Sequence, residues 1–311
     1  PFIDSSTKGL EVAPGKTIAL IGGNIILEGG SLKTNSGKIE LGSVASGKVD
    51  FTFTPQNLKF SYDRAETFQD IQLLKESSLQ LNSFSKIPNI ENAGSIKLQG
   101  KQVSLQDGSV ILTDNRLELT SEGININATE SLELLGSNIT ETQFSSLRSQ
   151  ALFAGKGGDI NISTKRLTVN NGGAISAYIF GSNAGGNIDI KASDFVKVLS
   201  VSKIRNSPST IIANTFNSGN GGNIDISTNQ FTSLNGSTIS SSTFSSGDAG
   251  NLTIDALESV EVIGIDPNSL QKSFVTSLTL NTGNGGNVIV NSQRVVVKDG
   301  GRIDASTIGS G

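Results

Sequence analysis

Asp189 and Asp225 have the strongest claim to chemistry in this chain. Each lies two positions after an asparagine in a copy of one short motif, Gly185-Gly186-Asn187-Ile188-Asp189 and Gly221-Gly222-Asn223-Ile224-Asp225. If the two copies sit on adjacent turns of a repeating structure, their carboxylates share one outward column. Paired carboxylates, helped by calcium or by Arg and Lys, are the machinery of polysaccharide lyases and glycoside hydrolases. The competing reading is a polar ladder on a solvated face. The column runs Asn161, Asp189, Asp225, Thr253, so its acidic character lasts only two repeats, and the ladder is the reading adopted. With no histidine and no cysteine in 311 residues, the imidazole and thiol routes to catalysis are closed. No catalytic residue, cofactor or metal site is expected.

Other motifs weaken on inspection. Gly-Gly-Asn followed by alternating residues is similar to calcium-binding nonapeptide repeats, but those recur every nine residues or so, a far shorter period than the one found here. Gly219-Asn220-Gly221-Gly222 leads into a strand pattern, so it lacks the helix N-terminus a phosphate loop needs. Sequon triplets such as Asn127-Ala128-Thr129 and Asn251-Leu252-Thr253 arise from outward Asn alternating with Ser and Thr.

The elements that position these residues follow from the spacing. The Gly-Gly-Asn-type motif places Ile160, Ile188, Ile224, Leu252 and Val288 at separations of 28, 36, 28 and 36 residues. Counting back by the same rule reaches Ile124 and Ile96. A unit of this size cannot bury its own apolar face and must stack on its neighbours, which makes a solenoid. Within one unit, Asp159-Ile160-Asn161-Ile162, Leu167-Thr168-Val169 and Ala174-Ile175-Ser176-Ala177 alternate with period two between Gly and Asn clusters. The pattern predicts three short strands per coil and an all-β, right-handed parallel β-helix with alternating 28- and 36-residue coils. Leu152, Phe180, Phe216, Phe244, Leu280 and Ile308 repeat in the same rhythm and are expected to form an inward ladder. The corner glycines are expected where φ is positive.

The longer coils carry eight extra residues, one before the second strand and the rest after it, around 136–149, 201–209 and 264–273. Such insertions map to loops on one face and predict a ridge recurring on every second coil. Pro208 and Pro267 argue against strand pairing inside them. Arg205, Pro208, Asp266 and Lys272 are the candidate binding residues there, because irregular loops on a rigid scaffold are where recognition sits.

Composition agrees. The 36 glycines and 5% aromatic residues suit a thin column of Ile, Leu and Val. The net charge of −4 is scattered, with no basic stripe, so nucleic acid is not an expected partner. No apolar run approaches a membrane span. The absence of cysteine leaves the redox compartment unread. A soft boundary near residue 66 divides shorter, closer strands (1–66), with Val49–Thr54 and Asn57–Tyr62 as a hairpin or excursion, from the larger coils (67–311). The chain has no start methionine and breaks off where a further repeat is due, so it is read as a piece of a longer protein.

One stretch is more specific. Gly9-Leu10-Glu11-Val12-Ala13-Pro14-Gly15-Lys16-Thr17-Ile18-Ala19-Leu20-Ile21-Gly22-Gly23-Asn24, with Leu27-Glu28-Gly29-Gly30 and Gly37-Lys38-Ile39-Glu40-Leu41-Gly42-Ser43-Val44, resembles the later half of a two-partner-secretion domain. This is the haemagglutination-activity domain of filamentous-haemagglutinin-like exoproteins. Asn127-Ala128-Thr129-Glu130-Ser131-Leu132-Glu133-Leu134 and the Thr-Phe-x-Ser-Gly turns resemble the repeats that follow it. The family's early Asn-Pro-Asn motifs are absent, so no translocator-recognition residue is assigned. The resemblance implies export through an outer-membrane barrel translocator and a secreted or cell-surface adhesin that binds a glycan or another cell-surface ligand without catalysis. The alternatives are a β-helical polysaccharide lyase or glycoside hydrolase, and a passive stalk for a C-terminal effector.

Overall fold

The structure is a computed structural model and describes residues 9–54, 57–84, 88, 92–153 and 155–309. The described residues contain strands and no helix. The strands form two long sheets, one of ten strands and one of twelve. Apart from one antiparallel hairpin, all strand pairing between coils is parallel, and the chain is a β-solenoid. The predicted rhythm appears directly in the register. Ile96 lies beside Ile124, Ile124 beside Ile160, and the column continues through Ile188, Ile224 and Leu252 to Val288. Every member up to Leu252 is fully buried, and Val288 on the last coil is half-buried.

Each regular coil has two strands where the sequence suggested three. Ile160–Asn170 is one strand of the twelve-stranded sheet, and Ala174–Ile179 belongs to the ten-stranded sheet. The first two expected strands are merged because the ladder runs through their junction with a bulge instead of breaking. The bulge holds one residue in a short coil, such as Lys165, and two in a long coil, such as Ser193 and Asp194. This accounts for the single extra residue expected before the second strand. Bulges bend a strand and increase its twist without ending the pairing.

The repeated glycine pairs serve a purpose other than the one expected. Gly186, Gly222, Gly250 and Gly286 do not have positive φ. A side chain at any of them would collide with the carbonyl oxygen of the matching glycine one coil earlier, at Gly158, Gly186, Gly222 and Gly250 respectively. They are glycine because coil backbones touch at that corner. The asparagine that follows ties the corner. Oδ1 of Asp159, Asn187, Asn223 and Asn251 accepts the backbone N–H of Asn187, Asn223, Asn251 and Asn287 in turn, at 2.8–3.0 Å.

The expected inward aromatic ladder faces the other way. Phe180, Phe216 and Phe244 are 43%, 41% and 42% exposed, Leu280 and Ile308 are also exposed, and Leu152 is half-buried. Each residue stands just past the end of a short strand, where the chain has already turned out of the core. The rings stack at 4.9 Å between centroids with 7° between planes. Phe216 is covered on both faces, and Phe180 and Phe244 each on one.

Near the N-terminus, Lys38–Thr54 leaves the stack and returns antiparallel as Asn57–Phe68. This is the excursion expected there. It folds back over the coil, with the Tyr62 hydroxyl donating to Glu40 at 2.9 Å. The parallel ladder continues past it from Ile39 to Ile96. The closing residues 310–311, where a further repeat was expected to begin, lie outside the described residues.

Candidate functional site

The two coil types differ at one corner, between a twelve-stranded-sheet strand and the following ten-stranded-sheet strand. Short coils turn there on Asn171-Gly172, Asn235-Gly236 and Asp299-Gly300, in which both residues of each pair have positive φ. Asx-Gly pairs enter that region at little cost, which makes the turn tight. Long coils instead have ten residues at this corner, 136–145, 200–209 and 264–273, where the short coils have three. Each insert starts with a residue at positive φ, namely Gly136, Ser200 and Gly264.

Each insert is a small hairpin. Antiparallel bridges join Ser137 to Phe144, Val201 to Pro208 and Ile265 to Lys272. Proline was expected to oppose such pairing. Pro208 pairs because the hydrogen bonds come from the flanking residues: Ser202 N donates to Ser207 O at 2.7 Å and Ser209 N to Ser200 O at 3.0 Å. The missing proline N–H is not needed.

A buried serine locks each base. Ser145, Ser209 and Ser273 are fully buried. Their hydroxyls donate to Leu135 O, Leu199 O and Ile263 O at 2.9, 2.6 and 2.8 Å. They also accept the N–H of Gly108, Gly172 and Gly236 at 3.0–3.1 Å. Each hairpin is thus bonded to the tight turn of the coil before it.

The hairpins then close over the short turns. A side chain at Gly172 would meet the Phe144 ring at 2.7 Å and Ser202 Cβ at 3.1 Å. One at Gly236 would meet Val201 Cγ1 at 2.9 Å and Asp266 Cβ at 3.1 Å. Successive hairpins therefore flank the same glycine turn and form one continuous ridge. The first two also touch directly. Glu141, 6% exposed, accepts the N–H of Ile204 at 3.0 Å and of Arg205 at 2.6 Å. Burial pushes the Glu141 carboxyl up, and the Arg205, Ile204 and Lys203 N–H groups with the Ser202 hydroxyl outweigh it, holding the group below the usual carboxylate range.

The four candidate residues divide into two kinds. Arg205 and Lys272 extend exposed side chains from the ridge. Asp266 is 6% exposed and folded into its own hairpin, where Oδ1 accepts the N–H of Asn268 and Ser269 and the Ser269 hydroxyl at 2.7–3.1 Å. Pro208 is half-buried in the bridge with Val201. These two shape the hairpins. Sequence reasoning overlooked Ile139, Ile204 and Leu270, which are 93%, 66% and 74% exposed, one on each hairpin. An aliphatic residue set in a polar loop was the available signal. Glu141 had none, because its partners lie 63 and 64 residues away.

The carboxylate column is as the spacing predicted: Asn161, Asp189, Asp225 and Thr253 are register neighbours. Asp189 is engaged by Lys191 at 3.3 Å. Nearby amides bond across coils, Asn161 to Asn125 at 3.0 Å and Asn127 to Gln99 at 2.9 Å. These contacts are those of a polar ladder along a shallow groove. Among the described residues no three Asp or Glu side chains cluster in a way that could hold a metal ion.

The Glu141 contact gives a testable expectation. Glu141→Gln should lower the hydrogen-exchange protection of the Ile204 and Arg205 amides and leave the strand amides unchanged. Because the folded pKa lies below the unfolded one, the ionised contact is complete above about pH 4.3 and is lost as pH falls through the folded value. Unchanged protection in the variant would mean that the carboxylate does not hold the hairpins together.

No family model, curated protein or solved structure matches the chain.

Proposed function

We propose that this chain is a segment of a secreted or surface-displayed, adhesin-like exoprotein with a structural and binding role and no catalysis. In this reading it leaves the cell by two-partner secretion, through an outer-membrane barrel translocator, and its hairpin ridge contacts a glycan or another cell-surface ligand. The observation that carries the reading is the ridge: three hairpins, bonded to a rigid stack by buried serines, recur on one edge and hold polar and aliphatic tips in solvent. Repeated presentation of one edge suits many weak contacts that gain strength together. Export by the two-partner route is supported by the resemblance of residues 9–44 to the secretion domain.

The test is to shorten the ridge without disturbing the stack. Residues 200–209 and 264–273 are each replaced by Asn-Gly-Ser, the turn of the short coil at 235–237. The trimmed protein should keep its β-sheet circular dichroism and cooperative melting, while cell or glycan-array binding falls at least tenfold. Unchanged binding by a folded, trimmed protein would remove the ridge from the reading and leave the strand faces or a passive stalk.

A further inference from the structure

The outer face of the ten-stranded sheet lies between the hairpins, which enter its strands, and the phenylalanine ladder, which follows them. Strand Ser146–Ala151 turns Leu147, Ser149 and Ala151 into the core, so Ser146, Arg148 and Gln150 point outward. In register, Arg148 sits between Leu112 on one side and Ser176 on the other, both buried.

Arg148 has no hydrogen bond and no ion pair among the described residues. Its Nε is sealed from solvent without a partner. The terminal nitrogens, also unpartnered, are not among the sealed atoms, so they open outward. Ser146 Oγ, two residues back on the same outward face, is likewise buried and unpaired. Asp114 Oδ1, on the neighbouring strand in register with Gln150, is a third such atom, but as a carboxylate oxygen it only accepts and has no part in holding an oxyanion.

No carboxylate among the described residues makes an ion pair with the Arg148 cation. Asp114 gives its other oxygen to Arg116 at 2.9 Å. Tyr178 on the next strand is held in its neutral form, because burial raises its hydroxyl above the usual phenol range against the opposing pull of Arg148 and a bond to Ser176. Burial likewise lowers the Arg148 guanidinium, the sign expected for an uncompensated charge. A partly buried, unpaired charge destabilises a fold unless a partner arrives. A guanidinium with two open nitrogens matches the two oxygens of a carboxylate or sulfate.

We propose that Arg148 is the anchor of an oxyanion site that takes the carboxylate or sulfate of an acidic saccharide. The Tyr178 ring and Gln150 lie beside it to meet the sugar. This site is separate from the hairpin ridge and does not depend on it.

The experiment follows thermal unfolding of the full chain with a glucuronate oligosaccharide, a sulfated disaccharide, an uncharged glucose oligosaccharide or inorganic sulfate. A parallel titration follows the Arg148 Nε–H resonance. One or both acidic saccharides should raise the wild-type midpoint by several degrees and move that resonance, and the glucose oligosaccharide should do neither. A response to one acid alone identifies its group as the ligand. Arg148→Met should melt above wild type without ligand and lose the response, while Lys59→Met, which removes an exposed cation on the N-terminal excursion away from both the ridge and Arg148, should keep it. The proposal is overturned if Arg148→Met melts lower and still responds, if Lys59→Met abolishes the response equally, or if inorganic sulfate acts alone and neither saccharide does.

Discussion

Ile224→Ala is expected to destabilise the central coils by about 2–5 kcal/mol, while Val288→Ala in the same column should cost well under half of that. Ile224 is fully buried between Ile188 and Leu252. Truncating it removes transfer free energy and leaves a cavity whose walls are held by ladders on both sides. Val288 belongs to the last of the described coils, and among the described residues only Leu252 packs on it from within its column. In a one-dimensional stack, a residue with one neighbouring coil has roughly half the interface to lose. Urea unfolding of both variants, read by circular dichroism and by limited proteolysis, checks the ratio. Equal losses at the two positions would mean that the coils are not stabilised mainly by their nearest neighbours.

Gly222→Ala should be nearly as damaging, at about 3 kcal/mol, although it adds a single methyl group. The new carbon would fall on the Gly186 carbonyl oxygen, which is backbone and cannot rotate away. Relief requires the coils to separate at that corner. Separation would strain the neighbouring bond from Asn223 N to Asn187 Oδ1, now 2.9 Å. Gly136→Ala is the control. Its φ is +67°, yet nothing lies within 4 Å of the added carbon. The penalty there is the left-handed backbone alone, roughly 1–2 kcal/mol. A pair of melting curves settles the order. A larger loss at Gly136 would show that backbone angle, rather than coil contact, dictates these glycines.

The two predictions mark what a sequence of this kind reveals. The alternation of 28 and 36 is a property of identity and spacing, so the core column could be written down residue by residue. The side on which Phe180 lies could not. A ladder of like residues has the same period whether it faces in or out, and only the point where the strand ends decides. The glycine pairs were found and misread, because positive φ and close approach both select glycine. The hairpins were legible as insertions with nearly correct limits. Their internal roles were not, since Asp266 turns inward through bonds to its own loop and Glu141 is held by residues far along the chain. Arg148 left no trace in the pattern. Its significance comes from lacking a partner, which only the folded chain reveals.

The ridge also sets a rule for how such a molecule changes size. Each hairpin needs a coil with a side-chain-free turn beside it, because Phe144, Val201 and Asp266 fill the space above Gly172 and Gly236. Two hairpins on consecutive coils, about 4.8 Å apart, would compete for the same room. Growth or loss by one coil of either kind would therefore leave a mismatch, two bulky turns or two bare ones side by side. Growth by a pair of unequal coils preserves every contact. The ruler of this shaft is graduated in doublets, and duplication in its gene should keep step with 64 residues, the distance from Ser145 to Ser209 and from Ser209 to Ser273.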